Sequence, residues 1–213
     1  KCALQVNTFG YSANYRGASH GLDEAAYNAA VAAQCLQSGI EVVGIADHGG
    51  IDRIDALRST LQASGIVVFP GFEIACTEKF HMVCLFPEST SRDELNRYLG
   101  ALGLTNPDKT VWPSSKGCHE IAREVAALSG FWYAAHATLE NGILVRKSTH
   151  NWIDPERLRA IQIPGSVGDL PPEFKNSVLD KDPNWKRGRP VAVINARDVA
   201  VPEDLADPGA TCW

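Results

Sequence analysis

The sequence has no CxxC pair, no excess of basic charge and no long apolar run, and each absence closes off a class of function. Six cysteines stand at positions 2, 35, 76, 84, 118 and 212, too scattered for a zinc knuckle or a framework of paired disulfides. Cys35, Cys76 and Cys84 fall inside apolar stretches, where a free thiol behaves as a small hydrophobe. That usage is expected of a chain in a reducing cytoplasm. No apolar run reaches the roughly 18 residues of a helical membrane span, so no membrane partner is expected. The opening Lys1-Cys2-Ala3-Leu4 lacks the apolar stretch of a signal peptide. With 20 Lys and Arg against 25 Asp and Glu, the net charge of −5 gives no bulk attraction to nucleic acid. A nucleic-acid partner would need a local basic patch or a neighbouring domain.

What is present describes one folded unit. At 213 residues, 45% apolar and 21% charged, the chain can bury one substantial core. It opens on Lys1 rather than Met and stops at Cys212-Trp213. The expectation is therefore a single domain over 1–213, the N-terminal part of a larger protein.

Strand and helix signals alternate through the first half. Residues 3–6, 40–46 and 66–69 read as short strands, and 72–76 and 80–86 as two more joined by a polar turn. Helices are expected over 23–38, stopped by Gly39, over 52–63, and over 91–102, where Ser91 and Glu94 form a capping box. A Pro-containing polar loop over 105–116 precedes a helix at 117–129 and a strand at 131–135. Later prolines break up the chain, leaving 160–163 and 191–194 as its clearest strands. Alternating β and α with short connections implies a parallel sheet or barrel, whose chemistry collects at the C-terminal strand ends.

Potential metal ligands fall at those ends. Asp47-His48 follows the strand at 40–46, Glu73 follows Pro70-Gly71-Phe72, His81 opens a strand, His136 closes one, and Asp198 follows 191–194. Imidazole and carboxylate donors suit Zn, Mn or Fe. Each residue alone has an ordinary structural explanation; their shared placement is what points to a site. His119 and His150 lie outside this pattern, and His20 is left open.

The stretches Ile45-Ala46-Asp47-His48, Pro70-Gly71-Phe72-Glu73-Ile74, His81-Met82-Val83, Ala135-His136, and Asp198 through Pro202-Glu203-Asp204-Leu205 resemble, in order and spacing, the PHP (polymerase and histidinol phosphatase) domain family. The resemblance covers nearly the whole chain. It implies an α/β fold, a distorted (β/α)7 PHP-type barrel, holding up to three metal ions and hydrolysing phosphoesters. By the resemblance, Glu73, His81 and His136 form one metal position. A second keeps Glu73 and Asp198 but has Gln5 and Asn7 in place of imidazoles. A third keeps His48 but has Ala200 in place of the closing histidine. Amides replace imidazole poorly, so one divalent ion is expected rather than three. More narrowly, Phe9-Gly10-Tyr11 and Gln162-Ile163-Pro164-Gly165-Ser166 resemble PHP modules fused to SMC-like or AAA-like ATPases, which implies an ATPase domain in the same protein.

The first functional expectation is a metal-dependent phosphoesterase, a nuclease module of a DNA-processing or defence ATPase, with a degenerate metal site. Asp198 would complete the site or orient a water, and Asp47 would hold the tautomer of His48. Arg197, Arg16 and the Arg146-Lys147 pair are the phosphate-contact candidates. The second is a catalytically inactive PHP barrel that binds a partner or a nucleic-acid end without cutting.

Overall fold

The computed structural model describes residues 1–14, 20–104, 113–154 and 157–212; Arg16, Pro155 and most of the 105–116 loop lie outside them. Among the described residues, seven strands form one sheet in chain order: β1 (Cys2–Val6), β2 (Val42–His48), β3 (Val67–Ala75), β4 (His81–Leu85), β5 (Phe131–Ala134), β6 (Ala160–Ile163) and β7 (Ala192–Asn195). All neighbours run parallel except β4, which is antiparallel to both β3 and β5. Parallel neighbours need crossovers. These are made by α1 (Phe9–Asn14) and α2 (Glu24–Gln37), by α3 (Ile54–Ala63), by α6 (Thr149–Trp152), and by α7 (Pro172–Val178). α4 (Arg92–Ala101) and α5 (Cys118–Ala127) link β4 to β5. The antiparallel β3–β4 pair needs only the turn through residues 76–80, the polar turn that the sequence predicts, so this mixed α/β sheet departs from strict β/α alternation there. The segment beyond β7 returns to β1 through bridges at Val6–Val199 and Cys2–Cys212.

Local sequence accounts for the helices. The Asp23 carboxylate accepts the Ala26 N–H at 2.8 Å to start α2, and Ser91 and Glu94 close a reciprocal capping box on α4. α3 buries Ile54, Leu57 and Leu61, and α5 buries Cys118, Ile121, Ala122 and Val125, each one face of a 3.6-residue period. These faces join Val43, Ile45, Phe72, Ile74, Met82 and Cys84 in the main core between sheet and helices. The opposite sheet face carries a smaller cluster of Ala46, Val83, Leu85, Tyr133 and Ala135.

Two details place the site. Ala3 pairs with Val43 and Val6 with Ile45, so Leu4 and Gln5 together oppose Gly44 in a β-bulge. The extra residue keeps Ala3 and Val6 in the main core while Leu4 packs against the inner cluster and Gln5 bonds to Glu73. Pro70-Gly71, which reads as a break between two strands, lies within one continuous β3. The Pro70 carbonyl accepts the Phe86 N–H at 2.9 Å, and a Cβ on Gly71 would lie 2.0 Å from the Cys84 carbonyl oxygen. The bare glycine lets β4 cross at full contact.

Candidate metal centre

Strand direction explains why the imidazoles and the carboxylate meet. His48 ends β2 in register with Glu73 of β3, and His136 lies just beyond β5. β4 runs the other way, so its first residue, His81, falls at the edge where its neighbours end. Alternation along β3 and β4 puts Glu73, Val83 and His81 on the inner face.

Glu73 Oε1 lies 2.9 Å from His81 Nδ1 and 3.1 Å from His136 Nε2, and the two nitrogens are 3.2 Å apart. One carboxylate and two imidazoles converging at these separations fit a single divalent ion, since metal–ligand bonds of about 2.0–2.2 Å put neighbouring donors roughly 3 Å apart. Burial raises the Glu73 carboxyl, but hydrogen bonds from His136 and His81 outweigh it and hold the group well below the usual carboxylate range. Burial lowers the His136 imidazole, and the Glu73 carboxylate more than offsets this, so its pKa is raised. His136 adopts φ of +30°, a left-handed conformation that costs a non-glycine residue energy and is held here by its surroundings. The His48 ring packs beside His81 with centroids 4.6 Å apart.

A chain of amides supports the cluster from below. The His136 N–H donates to Gln162 Oε1 at 2.8 Å, Gln162 Nε2 donates to Gln5 Oε1 at 2.7 Å, and Gln5 Nε2 donates to Glu73 Oε2 at 2.9 Å. The backbone donor fixes which way Gln162 points, and Gln162 fixes Gln5. Glu73 Oε2 is thereby taken by an N–H rather than left for a second ion. Gln162 is not among the site residues that the sequence reading names, though a glutamine in the apolar run Ala160–Ile163, at a strand's C-terminal end, is a usable signal.

The remaining sequence candidates divide. His48, Arg197, Asp198 and Ala200 line the same cleft as Glu73, His81, His136 and Gln162, a cavity of about 650 Å³. Arg197 pairs with Asp204 at 3.3 Å and Asp207 at 3.1 Å, so two carboxylates hold its guanidinium at the rim. Asp47 points elsewhere, because adjacent strand residues face opposite sides. Its buried carboxylate accepts the Thr8 N–H at 2.8 Å and the Thr8 hydroxyl at 2.5 Å, and burial pushes its pKa up to about 7 against those bonds. The Asp47 carboxylate thereby anchors the β1–α1 turn. Asn7 Nδ2 donates to the Ala46 carbonyl at 3.1 Å. Arg146 bonds to Asn141 and lines an adjoining pocket of about 280 Å³ with Lys79, His48 and His81.

Neither a protein-family model nor a curated protein matches this sequence. Solved structures do match in fold. The lesion-specific endonuclease PfuEndoQ from Pyrococcus furiosus superposes with a TM-score of 0.55 at 12% identity, over 95% of this chain and 49% of that one. Endonuclease Q in complex with a 27-mer duplex substrate carrying an abasic lesion at the active site superposes with a TM-score of 0.50 at 12% identity, over 84% of this chain and 44% of that one. The chain therefore spans about half the length of the endonucleases it matches. At such identity the likeness is one of fold, and over nearly its whole length this chain shares the architecture of one part of those enzymes.

Proposed function

We propose that this chain is a PHP-type metal-dependent phosphoesterase module acting on nucleic acid, built on one divalent ion, Zn, Mn or Fe. The observation that carries the reading is the convergence of Glu73, His81 and His136 within 3.2 Å at the floor of an open cleft. An ion held there supplies Lewis-acid polarisation of a phosphoryl oxygen. The chain's own residues do the rest. Asp198 and His48 flank the cluster as proton acceptors and orienters. Arg197 at the rim pairs with a phosphate oxygen, its guanidinium pre-set by Asp204 and Asp207. Gln5 and Gln162 hold Glu73 and the His136 backbone in place. The fold shared with a duplex-bound endonuclease supports nucleic acid as the substrate class. A larger polypeptide with a following ATPase domain belongs to the same proposal, on the sequence resemblance.

One observation favours a second reading, a barrel that binds without cutting: the Gln5 amide occupies the Glu73 oxygen that a second ion would need. Two-metal hydrolysis stabilises both the attacking and the leaving oxygen, and a single ion forgoes half of that. Elemental analysis of the purified protein and a Glu73→Ala variant, with hydrolysis of bis(p-nitrophenyl) phosphate in Mn or Zn, separates the readings. About one equivalent of metal and turnover, both lost in the variant, supports the esterase. Metal without turnover supports the binding module. No metal after soaking with Mn or Zn overturns the esterase and leaves the binding module.

A further inference from the structure

Outside the cleft, the sharpest constellation joins the two extremes of the chain. Cys2 and Cys212 form an antiparallel bridge in which each N–H donates to the other's carbonyl, at 2.8 and 2.9 Å. Such a reciprocally bonded pair has Cα atoms about 5.5 Å apart, inside the range that a disulfide spans without backbone movement. The two Sγ atoms are already 3.2 Å apart, with both residues part-exposed. Closing that gap to the roughly 2.05 Å of a bond is what oxidation requires.

We propose that Cys2 and Cys212 are a site of reversible disulfide formation that joins β1 covalently to the segment walling the cleft. That segment carries Arg197, Asp198, Ala200 and Asp204, all of which line the cavity, and reaches β1 again at Val199. The bond makes one of the segment's two contacts with β1 covalent, and the Val6–Val199 bridge is the other.

The pair is chemically distinct from the other thiols. Cys35, Cys76, Cys84 and Cys118 are buried, and burial pushes Cys35 and Cys76 up to about 12 and the other two higher still. The hydrogen bond from the Cys212 thiol favours a thiolate at Cys2 and brings it down to about 6. A metal is the poorer occupant. Among the described residues, the one group of three or more metal-binding side chains is Glu73, His81 and His136, so no third ligand stands beside the two sulfurs.

A low-molecular-weight disulfide such as oxidised glutathione serves as oxidant. The Cys2 thiolate attacks one of its sulfurs and expels one glutathione thiolate, leaving a mixed disulfide on Cys2. Cys212, deprotonated, attacks Cys2 Sγ and expels the second. Two electrons pass to glutathione, and the two thiol protons end on the two glutathione molecules released.

The test treats the folded chain with oxidised glutathione, then denatures it, alkylates it and maps peptides by mass spectrometry. Expected are two fewer alkylated thiols than the six of the reduced chain, a cross-link between the Cys2 and Cys212 peptides, and a melting temperature higher by on the order of 10 °C. Dithiothreitol reverses all three. Cys212→Ser should give a glutathione adduct on Cys2, with no cross-link and no thermal gain. Cys2→Ser makes the same comparison should that variant fold poorly. Six alkylatable thiols after oxidation, a cross-link to another cysteine or a second chain, or a cross-linked form that melts no higher than the reduced one overturns the proposal.

Discussion

Gln5 Nε2 donates to Glu73 Oε2 at 2.9 Å, so the carboxylate at the centre of the cluster faces the two imidazoles with its other oxygen alone. This geometry depends on Gln162, which accepts the His136 N–H and donates to Gln5. Gln162→Leu keeps the volume but cuts both links. It leaves the His136 N–H and Gln5 Oε1 without these partners. Outer partners of metal ligands are typically worth 10–100-fold in affinity, and a buried unpaired polar group costs about 1–3 kcal/mol. Isothermal titration with Mn or Zn should show affinity lower by about that factor, and denaturant melts should show the stability loss. Unchanged affinity would make the relay mere packing.

Asp47 gives a sharper division between structure and site. Its oxygens are engaged by Thr8, on the β1–α1 turn, and not directed into the cleft. Thr8→Val removes one donor to a buried carboxylate while preserving shape, and should cost about 1–3 kcal/mol in denaturant unfolding. Metal content by elemental analysis should stay at the native level. Loss of metal in this variant would return Asp47 to a supporting role beside His48.

The sequence made the strand-end ligands legible because strands announce themselves by short apolar runs, and the residue after the run is then known. His136 follows such a run and His81 opens one, whereas Glu73 lies inside β3 and the antiparallel β4 brings His81 beside it. What periodicity does not carry is pairing. The β1 bulge that turns Gln5 inward exists only relative to Gly44 on β2, and a Cβ on Gly44 would come within 2.8 Å of the Leu4 carbonyl oxygen. The side on which Asp47 falls is likewise fixed by the register that turns His48 toward Glu73. α1, a helix of six residues over Phe9–Asn14, leaves too little periodicity to detect in the sequence.

Gly71 and Gly100 make opposite predictions from the same substitution. An alanine Cβ at Gly71 meets the Cys84 carbonyl oxygen at 2.0 Å and Leu85 Cδ2 at 2.8 Å, and the first is backbone that cannot rotate away. Gly71→Ala should therefore prise β3 from β4 beside Glu73 and lower stability by about 3 kcal/mol or more, among the largest single-site losses. Gly100 lies in α4 with nothing within 4 Å of its Cβ position. Gly100→Ala should stabilise the chain by about 0.5–1 kcal/mol through helix propensity. Thermal melts of the two variants check the sign of each.

Glu78 provides a pH-dependent test away from the cleft. Its carboxylate accepts the Cys118 N–H at the start of α5, at 3.0 and 3.2 Å from its two oxygens, and the Asn151 Nδ2 at 3.0 Å. Partial burial raises its pKa, but the bonds from Asn151 and Cys118 outweigh that and leave it lowered from 4.5. A carboxyl whose folded pKa is depressed binds fewer protons folded than unfolded. Its contribution is therefore present in full above the unfolded value and disappears as pH falls through the folded one. Glu78→Gln should cost about 1 kcal/mol at neutral pH, where it removes both the charge at the helix N-terminus and the charged hydrogen bonds. In acid below the depressed folded pKa, where the native carboxyl is protonated as well, the two proteins should converge. Urea unfolding at both pH values measures this directly. An equal gap at both would show that Glu78 acts through shape rather than charge.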